Sequence, residues 1–135
     1  MSMTPVEIWL AYNDACNRSD LGSAARFISA DLCVLTNGAN SVVSVEDDMA
    51  AMGRLLAWYP DYAREVIDTA EVGDRAVVEW VMRGTPSAPG AAVLNVVGCS
   101  VIWTEAGVIT RAHLYYDGGA LDAVLRAGDG ASPPN

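Results

Sequence analysis

Residues 93 to 117 form two runs of alternating apolar and polar positions, joined at Glu105-Ala106-Gly107. That period of two predicts a β-hairpin. In the second run Val108, Thr110, Ala112, Leu114 and Tyr116 share the drier face, opposite Ile109, Arg111, His113, Tyr115 and Asp117. In the first run Val93, Asn95, Val97, Cys99, Val101 and Trp103 alternate with Leu94, Val96, Gly98, Ser100 and Ile102, so both faces are largely apolar. A strand of that kind needs cover on two sides. The chain's own helices supply one side in this reading, and a second copy of the chain supplies the other.

The remaining pattern supplies the helices. Thr4-Pro5 reads as a cap and first-turn proline, followed by Ile8, Trp9, Tyr12, Ala15 and Cys16 at helical spacing. A second short helix is expected over 20–28, and a third over 45–58, closed by Pro60. Glu46, Asp47 and Asp48 fall in the first turn of the third helix, where the helix dipole favours acids, and read as solvated. Strands are expected over 31–36, 62–71 and 75–84, with turns at 37–40 and at Gly73-Asp74. A closing helix over 118–125 follows, then a flexible tail over 127–135. The fold class is α+β: one domain over 1–126, a cone-shaped, curled mixed or antiparallel sheet with three N-terminal helices on its concave side and a short C-terminal helix.

The chain has 135 residues, no lysine and a formal net charge of −9. That charge repels nucleic acid at long range, so no nucleic-acid partner is expected. Cys16, Cys33 and Cys99 are widely spaced in apolar sequence, which suits reduced thiols in a cytoplasmic protein. No stretch approaches a membrane span or a signal segment, so no membrane partner is expected. The lack of lysine removes Schiff-base chemistry, and a single histidine without a Cys-x-x-Cys pair argues against zinc. Neither a Gly-x-Ser-x-Gly elbow nor a phosphate-binding glycine loop is present, so no metal and no cofactor is expected.

The element order, with Trp58-Tyr59-Pro60-Asp61-Tyr62, Gly73-Asp74-Arg75 and Leu114-Tyr115-Tyr116-Asp117, resembles the SnoaL-like polyketide cyclases of the nuclear-transport-factor-2-like superfamily. The resemblance spans roughly residues 6–125 and implies a cone fold; relatives include ketosteroid isomerase, limonene-type epoxide hydrolases and members that only bind. Tyr12, Asn17, Asp20 and Leu21 match the isomerase's Tyr-x4-Asn-x2-Asp-Leu, which implies that Tyr12 donates to a developing oxyanion. The isomerase base falls at Thr36-Asn37 and its second oxyanion acid at Cys99. The hydrolases' Arg-x-Asp falls at Trp80 and Met82, their last-strand Asp at Leu114 and their Tyr at Leu35, so the water-activating acids are missing and only Asn37 is kept. The aldol cyclases imply a late acid and a histidine, for which His113 and Asp117 are the candidates.

The expected activity is that of a cofactor-free cyclase or isomerase of a hydrophobic, polyketide-derived or polycyclic carbonyl compound. Tyr12 and Asn37 would polarise the carbonyl, and Asp117 or a bound water would move the proton. Trp9, Trp58, Trp80, Met82, Asn95, Cys99, Trp103, Leu114 and Tyr116 would bind the substrate. The alternatives are a non-catalytic binding or accessory protein and an epoxide hydrolase-like cyclase. A homodimer is expected through an outer sheet face carrying Ile109, Tyr115, Leu94, Val96 and Ile102.

Overall fold

A computed structural model describes residues 3–117. The expected closing helix and the tail lie outside the described residues. Helix α1 (Pro5–Asn17) starts at a capping box in which Thr4 Oγ1 accepts from the Glu7 backbone and Glu7 Oε1 accepts from the Thr4 backbone. Helix α2 (Leu21–Ala25) is a single turn capped by Asp20. Its expected continuation to residue 28 gives way to strand, because β1 (Ile28–Thr36) begins as soon as Ile28 can pair with Ile109. Thr36-Asn37-Gly38-Ala39 turns into β2 (Ala39–Val42), a strand the turn chemistry had concealed. Asn37 and Gly38 both sit at positive φ, 49° and 87°.

Helix α3 (Val45–Trp58) is capped by Ser44 Oγ, which accepts from the Asp47 backbone at 3.2 Å. Then come β3 (Ala63–Val72), β4 (Arg75–Gly84), β5 (Leu94–Glu105) and β6 (Val108–Tyr116). The six strands form one sheet in the order β2-β1-β6-β5-β4-β3, antiparallel except for the parallel β1–β6 pair. The sheet curls around the helices, giving the α+β cone. Among the described residues no helix is long and apolar enough to cross a membrane.

The hairpin's two faces are not both inside. Leu94, Val96, Ser100 and Ile102 point into the cone and are buried, whereas Asn95, Val97, Cys99, Val101 and Trp103 share the outer face with their partners on β4 and β6. In β6 the alternation breaks: Trp103 pairs with Arg111 but Thr104 pairs with Ile109, so one residue of β6 is unmatched. The bulge turns Ile109 inward, onto the same side as Ala112, where both are buried. The residues expected to form a dimer face therefore divide, with Leu94, Val96, Ile102 and Ile109 in the core and Tyr115 outside.

Gly98 shows how tightly the core closes over this strand. A Cβ there would stand 2.7 Å from the Trp80 ring and 2.6 Å from the Tyr115 carbonyl oxygen. Only glycine admits that ring, which is fully buried and donates through Nε1 to Ser100 Oγ at 2.9 Å.

Candidate active site

Between helices and sheet lies a cavity of about 90 Å³, walled mainly by Trp9, Ile28, Leu32, Val34, Met52, Leu55, Met82, Ile102, Ile109, Ala112 and Leu114. Three ionisable side chains enter that largely apolar wall, each from a different element: Tyr12 from α1, Asp48 from α3 and Arg64 from β3, beside the hydroxyls of Thr36, Ser41 and Ser100. Among the described residues Asp48 is the only carboxylate lining it.

Helical spacing explains Asp48. It precedes Met52 and Leu55 by four and seven residues and so shares their inward stripe, while Asp47 caps the helix entry by accepting from the Val43 backbone at 3.1 Å and Glu46 stays exposed. The reading of Glu46, Asp47 and Asp48 as a uniformly solvated first turn is therefore corrected at Asp48, which lines the cavity. The Tyr12 hydroxyl donates to Asp48 Oδ2 at 2.6 Å. Burial raises the Asp48 carboxyl above the usual aspartate range, against the opposing effects of the Tyr12 hydrogen bond and the nearby Arg64 charge. Burial also holds the Tyr12 phenol well above its ordinary value, and the Asp48 charge adds to it. Cys16, beneath Tyr12, is pushed up to about 11 by burial and stays a thiol.

Strand alternation explains Arg64, which lies two residues after the buried Tyr62 that precedes β3 and pairs with Met82. It is only 5% exposed. Two asparagines of α1 grip it. Asn13 Oδ1 accepts from Arg64 Nε at 2.7 Å, Asn13 Nδ2 donates to the Arg64 carbonyl at 3.1 Å, and Asn17 bonds both the Arg64 carbonyl and its backbone N–H. The guanidinium lies 4.6 Å above the Trp9 ring and 5.8 Å from that of Trp80. Its Nη2 is buried with no hydrogen-bond partner.

Of the residues singled out from the sequence, Tyr12, Trp9, Met82 and Leu114 meet at this cavity. Trp58 and Trp80 are buried in the core and are not part of its wall. Asn95, Cys99 and Trp103 lie on the outer face through strand parity, with the guanidinium carbons of Arg111 and Arg75 4.2 Å and 5.2 Å from the centre of the Trp103 ring. His113 also lies there, its Nε2 accepting from Arg111 Nε at 3.1 Å. Asn37 is exposed, and both ends of its amide are taken by the Tyr116 backbone, at 3.0 Å each. It joins the β1–β2 turn to the end of β6 and does not line the cavity. Tyr116 packs against the core from outside the cavity wall, and Asp117 is exposed. Asp48, Arg64, Asn13 and Asn17 were not foreseen as a site. Among the described residues no three His, Cys, Asp or Glu side chains converge as a metal site.

A family model for the SnoaL-like domain matches residues 9–112. No curated protein matches the chain. Several solved structures share its fold. A cystatin-fold protein from Novosphingobium aromaticivorans superposes with a TM-score of 0.77 at 18% identity, covering 84% of this chain and 98% of that one. A protein with a ketosteroid isomerase-like fold from Catenulispora acidiphila, solved with trimethylamine, gives 0.74 at 21% identity over 97% and 100%. A protein assigned as a SnoaL-like polyketide cyclase from Jannaschia gives 0.73 at 16% identity over 92% of each chain.

Proposed function

The chain belongs to the SnoaL-like domain family, and on that premise we propose that it is a cofactor-free isomerase or cyclase of a hydrophobic carbonyl compound held in the cone. Asp48 is the group that moves the proton. The observation that carries this reading is a lone carboxylate in an apolar wall, bonded to a buried tyrosine and raised above the ordinary aspartate range by burial. A raised carboxylate is a stronger base than a solvated one. It would take the proton from the carbon beside the substrate carbonyl, leaving the C–H electron pair as an enolate. Return of that proton to another carbon is isomerisation; attack of the enolate carbon on a second carbonyl, whose π electrons become an alkoxide that takes the proton back from Asp48, is cyclisation. A mechanism that holds water between two carboxylates lacks its second acid among the described residues.

The cavity's size favours a compact substrate. At about 90 Å³ it is smaller than the roughly 150 Å³ cavity that accepts benzene in an engineered protein. Met52 and Met82 line it, and their unbranched side chains can shift to admit a single ring. A fused polycyclic polyketide would require the walls to part. Deuterium uptake at the α-carbon of compact ketones, compared between wild type and Asp48→Asn, tests the proposal.

The same reading includes a homodimer through the outer sheet face. Support comes from Val77, Val97 and Tyr115, which are 43%, 63% and 47% exposed there around the Trp103 cluster.

A further inference from the structure

Arg64 presents an unusual balance of bonds. Its Nε and backbone are fixed by Asn13 and Asn17, so the side chain is held rather than free to swing out to water. Yet Nη2 is buried and unpartnered while the residue forms part of the cavity wall. Asp48, the carboxylate of that wall, is engaged by Tyr12 instead of pairing with the guanidinium. The Tyr62 hydroxyl is also buried without a partner, but Tyr62 does not line the cavity. A fixed cation with an unused donor in an apolar site strongly favours an acceptor oxygen that carries negative charge.

Two kinds of ligand could bring that oxygen: one already anionic, such as a carboxylate, or a neutral ketone that becomes an enolate inside. The net charge of −9 opposes entry of an anion. A neutral ketone enters without that penalty, and its oxygen acquires charge only when the α-proton leaves. We propose that Arg64 is the oxyanion-binding residue of this site, receiving the enolate oxygen of a compact ketone whose α-carbon faces Asp48. This rests on the isomerase-cyclase reading for its chemistry, but its test uses binding alone and can succeed or fail independently of proton transfer.

The test uses 4-fluorophenol, a planar enolate mimic that is neutral in bulk water, against fluorobenzene, the same ring without the oxygen, with ¹⁹F NMR reading both affinity and ionisation. The wild-type protein should bind 4-fluorophenol at least about tenfold more tightly than fluorobenzene. The bound phenol should ionise about one to three pH units below its solution value. Arg64→Met should abolish both effects while retaining fluorobenzene, and Asp48→Asn should preserve the preference. Equal binding of the two rings by the wild type, or a bound phenol that stays neutral, overturns the assignment without any variant having to fold. A preference lost in Asp48→Asn and kept in Arg64→Met also overturns it, since the phenol would then be donating to the carboxylate. Phenolate binding without deuterium uptake would leave the oxyanion site standing and remove the reaction; deuterium uptake without phenolate binding would do the reverse.

Discussion

The Tyr12 hydroxyl on α1 and the Asp48 carboxylate on α3 stand 2.6 Å apart at the wall of an apolar cavity. Each shifts the other's ionisation, on top of the burial that dominates both. The Asp48 charge contributes to keeping Tyr12 protonated, and the Tyr12 hydrogen bond keeps Asp48 from rising as far as burial alone would take it.

Asp48→Asn should stabilise the protein at neutral pH. The Asp48 carboxyl is raised in the folded state, so its burden on stability is absent below the unfolded value of about 3.9 and grows as pH rises through the folded value. Asparagine does not titrate and can still accept from Tyr12. The variant should be the more stable of the two at neutral pH. Melting curves for both proteins over about pH 4 to 8 should show the gap widening with pH; a gap that is constant or reversed contradicts the assignment.

Tyr12→Phe removes a hydrogen bond that lowers Asp48, so the carboxyl should rise further. The pH profile of α-proton exchange should move to higher pH, slowing the reaction below the new midpoint while leaving the alkaline plateau no slower. An unmoved midpoint would mean that Tyr12 does not tune the base.

Much of the fold is legible from period alone. The alternation in β4 and β5 and the stripe in α1 identify their elements, and Thr4 and Gly73 mark boundaries. Period fails where the backbone is irregular, and the bulge opposite Thr104 sends Ile109 inside. It also cannot say which face of a doubly apolar strand is covered, which is why Asn95, Cys99 and Trp103 were assigned inward. The site was partly legible. Asp48 is the first-turn acid in phase with Met52 and Leu55, and Arg64 alternates with Tyr62, but both signals are masked by their charge. Asn13 and Asn17 become meaningful only when β3 passes against α1.

Asn37→Ala should cost stability and spare binding. It loses two hydrogen bonds to Tyr116, about 1 kcal/mol each, and places alanine at φ 49°, which adds about 1 kcal/mol. Denaturant unfolding should show a loss of roughly 2–3 kcal/mol, with the affinity for 4-fluorophenol unchanged in the folded protein. Weakened affinity with full stability would return Asn37 to the site.

Val97→Glu tests the dimer. Val97 is 63% exposed on the outer face of β5 and is not part of the cavity wall. Sedimentation equilibrium should give a dimer for the wild type at micromolar concentration and a monomer or weakened dimer for the variant. A monomeric wild type contradicts the proposed assembly.

The central claim is that Asp48 removes a proton from the carbon beside a carbonyl. NMR of compact ketones such as cyclopentanone in D₂O measures that step directly, without knowledge of the natural substrate. The wild-type protein should accelerate deuterium uptake above the buffer rate, rising with pH as the Asp48 carboxyl ionises, and Asp48→Asn should reduce it by about 10²- to 10⁴-fold. Uptake by Asp48→Asn as fast as by the wild type, or ketones that bind the wild type and exchange no faster than in buffer, would contradict it.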